Sequence, residues 1–229
     1  MEFIIENGIL KKYKGDEKTV TVPENVTEID SFVFLKHEEI EEVILPEGIK
    51  VIGSGAFEKC KNLLKINLPA SLEVIGNSAF SWCENLKDVM IPRTLTELGI
   101  GAFSFCFNIN RISVPENITK LESNTFKGCK TLKTAVVPSN VKEVAGYSFS
   151  NCYELEIVDL YEGITEIGEF AFADCTSLTG IKIPKTVEKL GYGLFAGCTN
   201  LKYVKIPKDK NYDTKWTIDC PEKTRIILY

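Results

Sequence analysis

Cysteine is the residue type in this chain with the widest range of possible chemistry, and seven of the eight cysteines recur every 23 residues. The seven are Cys60, Cys83, Cys106, Cys129, Cys152, Cys175 and Cys198. A zinc site needs ligands that converge over short spacings such as Cys-x-x-Cys, and no such spacing occurs. Disulfides between these cysteines are disfavoured too. If the repeats stack through parallel strands, the Cβ atoms of equivalent cysteines lie about 5 Å apart, whereas the Cβ atoms of a disulfide lie about 3.8 Å apart. We therefore expect no metal and no cofactor, and we interpret these cysteines as small, reduced, buried side chains.

Catalysis by a serine–histidine or cysteine–histidine pair would have to use His37, the only histidine. It occupies the position that cysteine takes in the later repeats. We therefore interpret it as a partly buried side chain that replaces the cysteine in the first repeat. The neighbouring Glu38, Glu39, Glu41 and Glu42 fit a solvated turn, whereas paired carboxylates for glycoside hydrolysis need a cleft. Neither a Walker-type loop nor a Gly-x-Gly-x-x-Gly phosphate loop is present. The sequence predicts that the protein is not an enzyme.

Prolines and phenylalanines share the 23-residue period of the cysteines. The prolines are Pro23, Pro46, Pro69, Pro92, Pro115, Pro138, Pro184 and Pro207. The one gap among them is filled by Tyr161. The phenylalanines are Phe34, Phe57, Phe80, Phe103, Phe126, Phe149, Phe172 and Phe195. A unit this short cannot bury its own apolar side chains, but stacked units can, so the pattern predicts a solenoid.

One repeat, from Leu63 to Cys83, has the pattern Leu-x-x-Ile-x-Leu-Pro-x-x-Leu-x-x-Ile-Gly-x-x-Ala-Phe-x-x-Cys. Ile66 and Leu68 alternate with polar residues, which indicates a half-buried strand. Pro69 lacks an amide donor and should end the pairing of that strand. The next Leu-x-x-Ile pair begins a second extended or turn-like leg. The Ala-Phe-x-x-Cys stretch suits one helical or 3-10 turn on the outer side.

This pattern resembles the BspA-like, treponemal-type leucine-rich repeat over about residues 18–207. The resemblance implies a β-rich α/β solenoid, a right-handed superhelix with a parallel sheet on its concave face and short helical or 3-10 turns outside. It also implies protein recognition, since many members are bacterial or parasite surface proteins thought to bind host matrix proteins or other cells. The family has no catalytic motif to carry over. His37 in place of cysteine and Tyr161 in place of proline depart from the pattern.

We expect residues 1–229 to form a single leucine-rich-repeat domain. Residues 1–17 should be a hairpin cap, because Asn7-Gly8, a strong hairpin signal, separates two short apolar runs. Residues 18–207 should hold eight 23-residue repeats. Beyond Pro207 the register fails, and residues 208–229, with Trp216, should form the C-terminal cap.

Two surfaces are candidates for binding. In the strand that precedes the proline of each repeat, the residues between the buried positions should face outward. These residues differ from repeat to repeat, as is typical of a recognition surface. The candidates there are Met90, Arg111, Val136, Ile157 and Tyr203. Val136 and Ile157 occupy neighbouring turns and could form an apolar patch. On the outer turns, Trp82 and Phe105 should stack, either as aromatic anchors for a partner or as local packing.

The sequence thus predicts a non-enzymatic protein-binding scaffold, or an adhesin-like protein, that recognises a partner, including host or extracellular proteins, through the concave face. The alternative is a carbohydrate- or cell-wall-binding module that uses exposed aromatic side chains. The formal net charge of −5 gives no reason to expect nucleic acid. No apolar run is long enough for a membrane span. We expect a monomer that is cytoplasmic as written, or at the cell surface or secreted if an export signal has been removed.

Overall fold

The computed structural model describes residues 1–229 and is a β-solenoid whose successive coils stack through parallel strands. We number eight coils by the phenylalanine that each contains, from coil 1 with Phe34 to coil 8 with Phe195. Strands before the proline position form the first face, and two-residue strands before the phenylalanine form the second face. Turns around the phenylalanine close the third side, which we call the turn side. The predicted solenoid with parallel sheets is confirmed.

The strands of the first face are β3 (Thr19–Thr21), β5 (Glu42–Ile44), β7 (Lys65–Ile66), β10 (Arg111–Ser113), β12 (Thr134–Val137), β14 (Ile157–Leu160), β16 (Gly180–Lys182), β18 (Tyr203–Ile206) and β19 (Arg225–Leu228). The strands of the second face are β4 (Glu28–Ile29), β6 (Val51–Ile52), β8 (Val74–Ile75), β9 (Glu97–Leu98), β11 (Lys120–Leu121), β13 (Glu143–Val144), β15 (Glu166–Ile167) and β17 (Lys189–Leu190). An antiparallel hairpin, β1 (Glu2–Glu6) and β2 (Ile9–Lys14), precedes them and pairs with β4.

The phenylalanines form one continuous column inside the solenoid. All eight are fully buried, and neighbouring ring centroids are 4.9 to 5.9 Å apart with ring planes within 21° of parallel. Each of the seven columnar cysteines donates its S–H to the phenylalanine carbonyl of the preceding coil. Cys106 Sγ, for example, lies 3.1 Å from the carbonyl oxygen of Phe80. The thiols therefore link coils by hydrogen bonds as well as filling space, a role that the spacing alone did not reveal.

Burial should make the cysteine column unreactive. It raises the pKa of the Cys60 and Cys129 thiols to about 12, so almost no thiolate forms at neutral pH. Cys220 is only half-buried, and all eight cysteines are reduced. We expect the folded protein to release one equivalent of thionitrobenzoate from Ellman's reagent, and the guanidinium-unfolded protein to release eight. A Cys220→Ala control should lose only the early equivalent, and several early equivalents in the folded protein would contradict the buried column.

The predicted helical or 3-10 turn does not form in coils 1 to 8. The one 3-10 helix, Thr214–Thr217, lies near the C-terminus. Each coil instead contains two residues with positive φ, two positions before and two after the phenylalanine, such as Ser78 at 55° and Trp82 at 61°. The backbone N–H groups of Ser78, Phe80 and Trp82 donate to carbonyls of the next coil at 2.8 Å. The turn side is therefore a hydrogen-bonded ladder between coils, in which these donors are directed to the next coil and not along a helix.

The N-terminal hairpin covers the first coil. Its turn residues Asn7 and Gly8 have φ of 51° and 80°, as the predicted Asn-Gly hairpin requires. The buried Tyr13 ring lies 5.0 Å from Phe34 and so closes this end of the phenylalanine column.

At the C-terminus the coils continue past the predicted limit of residue 207. Strand β18, Pro207 and the 3-10 helix form a ninth coil. In it the buried Trp216 packs edge-on against Phe195, with ring centroids 6.1 Å apart. Strand β19 then adds one more parallel strand next to β18.

The parallel strands of the first face do not form one uninterrupted sheet. This face is divided into β3-β5-β7, β10-β12-β14 and β16-β18-β19. The second face is divided once, between β9 and β11. On the first face, coil 4 has no strand, so pairing is missing on both sides of it; both faces therefore lack strand pairing between coils 4 and 5. No helix of the structure has the length and apolar character needed to cross a bilayer.

Candidate binding surface

The five candidate residues of the first face are all at or near its surface. Met90 is 85% exposed, more than any other large apolar side chain of the chain. Ile157 is 51% exposed, Tyr203 and Arg111 are exposed, and Val136 is half-buried. Successive side chains of a strand point to opposite sides. The sequence neighbours of the candidates, such as the buried Ile112 and Ala135, therefore point into the core, and the candidates point outward.

Three of these residues share one groove. Met90, Arg111 and Val136 line a depression of about 1100 Å³ that crosses coils 4 to 7 and ends against Tyr161. Ile157 lies one strand beyond, since β14 pairs with β12, but it does not line the groove. Tyr203 lines a second, smaller depression of about 770 Å³ near the C-terminal end. Four of the five predicted residues thus belong to two depressions of the same face, and Ile157 lines neither of them.

The larger groove contains charged side chains without partners. Its walls include Asp88, Arg93, Arg111 and Glu116. The ion pairs of the structure are made by lysines, His37 and the N-terminal amine, and none of them involves an arginine. The chain has only three arginines, and two of them are in this groove. Guanidinium groups bind carboxylates through paired hydrogen bonds, so both are available to a partner.

The outer aromatic residues contact one another. Trp82 and Phe105 stack with centroids 4.3 Å apart, and Phe107 packs edge-on against Trp82 at 5.9 Å. All three are half-buried. The Phe105 ring also covers Gly128, where a Cβ atom would lie 2.7 Å from a ring carbon. These contacts favour local packing, the second of the two interpretations that the sequence left open.

A second aromatic row on the turn side was missed by the sequence analysis. Tyr147 and Phe170 stack at 5.2 Å, and Tyr192 meets Phe170 edge-on at 5.4 Å. The 23-residue spacing of Tyr147 and Phe170, two positions before the core phenylalanines, was the signal that could have revealed it.

His37 takes part in the packing of the N-terminal end. Its Nδ1 lies 2.5 Å from a carboxylate oxygen of Glu39, and its ring meets Tyr13 edge-on at 5.1 Å. No group of three or more histidine, cysteine or acidic side chains is placed to hold a metal ion.

Comparison with known families identifies the repeat. The model of the BspA type leucine-rich repeat region matches residues 5–133 and 121–216, in six copies. The chain belongs to the BspA-type leucine-rich repeat family. A search of curated protein sequences gives no significant match.

Solved structures of other leucine-rich repeat proteins resemble this BspA-type chain. A leucine-rich repeat protein of T. pallidum is 26% identical, with a TM-score of 0.70 over 84% of this chain and 82% of its own. A leucine-rich repeat protein of Bacteroides ovatus is also 26% identical, with a TM-score of 0.66 over 99% of this chain and 65% of its own. The pneumococcal vaccine antigen PcpA shares the fold at 18% identity and a TM-score of 0.53.

Proposed function

We propose that this BspA-type chain is a non-enzymatic scaffold that binds a protein partner through the first face, in the manner of an adhesin. The observation that carries the proposal is the contrast within that face. Its inward residues are apolar and mostly buried, whereas its outward residues differ from coil to coil and include the highly exposed Met90 and Ile157. Such variation over a constant core lets one fold present a specific surface.

The turn side supports this choice of face. A sugar-binding aromatic platform needs an exposed ring face, but Trp82 and Phe105 are half-buried and cover one face of each other. On the first face, in contrast, the exposed Met90 and the unpaired Arg111 share a groove with the apolar Val136. Apolar anchors next to arginine are typical of protein-binding hot spots.

A charged double variant tests the proposal. We expect Val136→Glu/Ile157→Glu to weaken partner binding by at least about tenfold, because two carboxylates would lose water in an apolar contact. The wild-type protein is first screened on an array of purified extracellular matrix and envelope proteins, and the affinities of the bound proteins are then measured by biolayer interferometry.

The matched control is Val51→Glu/Val74→Glu, which places two glutamates on paired, half-buried positions of the second face. It should bind like the wild-type protein, and thermal unfolding should show that both double variants are folded. Equal binding by the first-face variant and the wild-type protein would contradict the proposal.

A further inference from the structure

The boundary between coils 4 and 5 is joined on the turn side and open on the strand faces. On the turn side, Gly101, Phe103 and Phe105 donate their N–H groups to carbonyls of coil 5 at 2.6 to 2.9 Å. On the second face, the bond that Gly99 N–H makes to the Ile75 carbonyl at the previous boundary has no counterpart here. The phenylalanine rings also move apart, from 5.1 Å between Phe80 and Phe103 to 5.9 Å across this boundary.

On the first face, a stretch of backbone in coil 4 pairs with neither coil 3 nor coil 5. The residues from Asp88 to Ile91 occupy the place of a strand in coil 4, but none of their backbone N–H or carbonyl groups makes a hydrogen bond within the chain. Asp88 has a φ of 48°, which turns the chain away from the extended conformation needed to pair with β7. Strand β10, on the other side of the boundary, pairs only with β12. Consecutive unpaired backbone groups are a template for strand addition.

The walls of the groove at this boundary define what could bind to that backbone. Met90 and Val136 offer apolar contacts, and Arg93 and Arg111 offer guanidinium groups with no carboxylate within ion-pair distance. Asp88 and Glu116 lie in the same groove, so its formal charge is balanced. A densely acidic ligand would be repelled by these two carboxylates, whereas an isolated carboxylate next to apolar side chains would match the arginines.

We propose that the groove binds an extended peptide segment of a partner protein, with alternating apolar residues and a single acidic side chain. The peptide adds as a strand along the backbone of Val89 to Ile91, beyond the turn at Asp88. Its carboxylate pairs with Arg111, and its apolar side chains contact Met90 and Val136. The inference rests on the proposed function, since it names the kind of segment that the first face recognises.

Selection from a random peptide library tests the inference. We expect the peptides enriched on the wild-type protein to contain one aspartate or glutamate between β-branched or aromatic residues. A synthetic copy of the most enriched peptide should bind Arg111→Gln about tenfold more weakly or worse, because a charge-assisted hydrogen bond is lost. A peptide in which the acidic residue is replaced by its amide should bind the wild-type protein as weakly as the acidic peptide binds Arg111→Gln. This amide peptide should bind Arg111→Gln and the wild-type protein with the same affinity. The control is Arg225→Gln, which removes the one arginine outside the groove and should leave peptide affinity unchanged.

Hydrogen exchange locates the peptide. The amides of residues 89–91 should exchange fast in the free protein and at least about tenfold more slowly with bound peptide, since they would gain strand hydrogen bonds. Failure to enrich any acidic peptide, equal binding to Arg111→Gln, or protection confined to other coils would each overturn the inference. If Val136→Glu/Ile157→Glu abolishes protein binding while Arg111→Gln has no effect on it, the proposed function stands and this inference falls. If neither variant changes the binding of any partner, both fall.

Discussion

Replacing Phe80 with alanine should lower the free energy of unfolding by about 3–5 kcal/mol. The ring is fully buried and stacks between Phe57 at 5.2 Å and Phe103 at 5.1 Å. The substitution removes both contacts and leaves a cavity. The coils cannot close this cavity easily, because the Phe80 N–H donates across the boundary to the Ala102 carbonyl at 2.8 Å and fixes the spacing there. Urea denaturation followed by circular dichroism measures the change.

The matched control is Phe105→Ala, two positions after the core phenylalanine of coil 4. Phe105 is also aromatic and stacked, but it is half-buried on the turn side. Its loss should cost clearly less than the loss of Phe80, since less apolar surface returns to water. If the two variants are equally destabilised, the phenylalanine column is not the main source of stability.

The phenylalanine and cysteine columns were predictable from the sequence. A buried position accepts only side chains of suitable size and polarity, and in a stacked fold the same position recurs in every coil. Phe80 and Cys106 occur in register because each must fill the same space as its equivalents. The turn conformation was not predictable in this way. It depends on φ at positions such as Ser78, Trp82 and Gly101, and the side chains there are too varied to indicate positive φ.

The open boundary between coils 4 and 5 has no counterpart in the repeat pattern. Phe103 and Phe126 on its two sides are in register, as are Pro92 and Pro115. The change lies in the backbone of Asp88, at an outward position that polar residues also occupy in other coils, so residue type does not indicate it. Strand pairing depends on the backbone conformation of two neighbouring coils. The repeat pattern of residue types therefore does not reveal where a pairing is missing.

The candidate site was predictable in its face but not in its extent. Outward positions follow from alternation, which holds in the strands of the first face before the terminal strand β19. Met90, Arg111 and Val136 share a groove because they lie on successive coils. Tyr203 lies five coils from Met90, roughly 24 Å at the spacing of parallel strands, so one small contact cannot include both. The sequence orders the residues along the face, and the coil spacing decides which of them a single partner segment can reach.

Replacing Trp216 with alanine should destabilise the C-terminal coils by about 3–5 kcal/mol. The side chain is only 3% exposed and closes the phenylalanine column through its edge-on contact with Phe195 at 6.1 Å. Because a coil contacts only its neighbours, the lost contact acts on coils 8 and 9 before the others. Hydrogen exchange should therefore become faster in β18 and β19 and remain slow in β4 and β6.

The other tryptophan supplies the control, since Trp82 is half-buried on the turn side. Trp82→Ala should leave exchange in β18 and β19 unchanged. Uniform loss of protection along the chain in Trp216→Ala would mean that the solenoid unfolds as one unit, and that no coil has a separate stability.

Tyr13 closes the other end of the column, 5.0 Å from Phe34. If Trp216 acts by covering an exposed ring, Tyr13→Ala should accelerate exchange in β4 first and leave β18 protected, the reverse order.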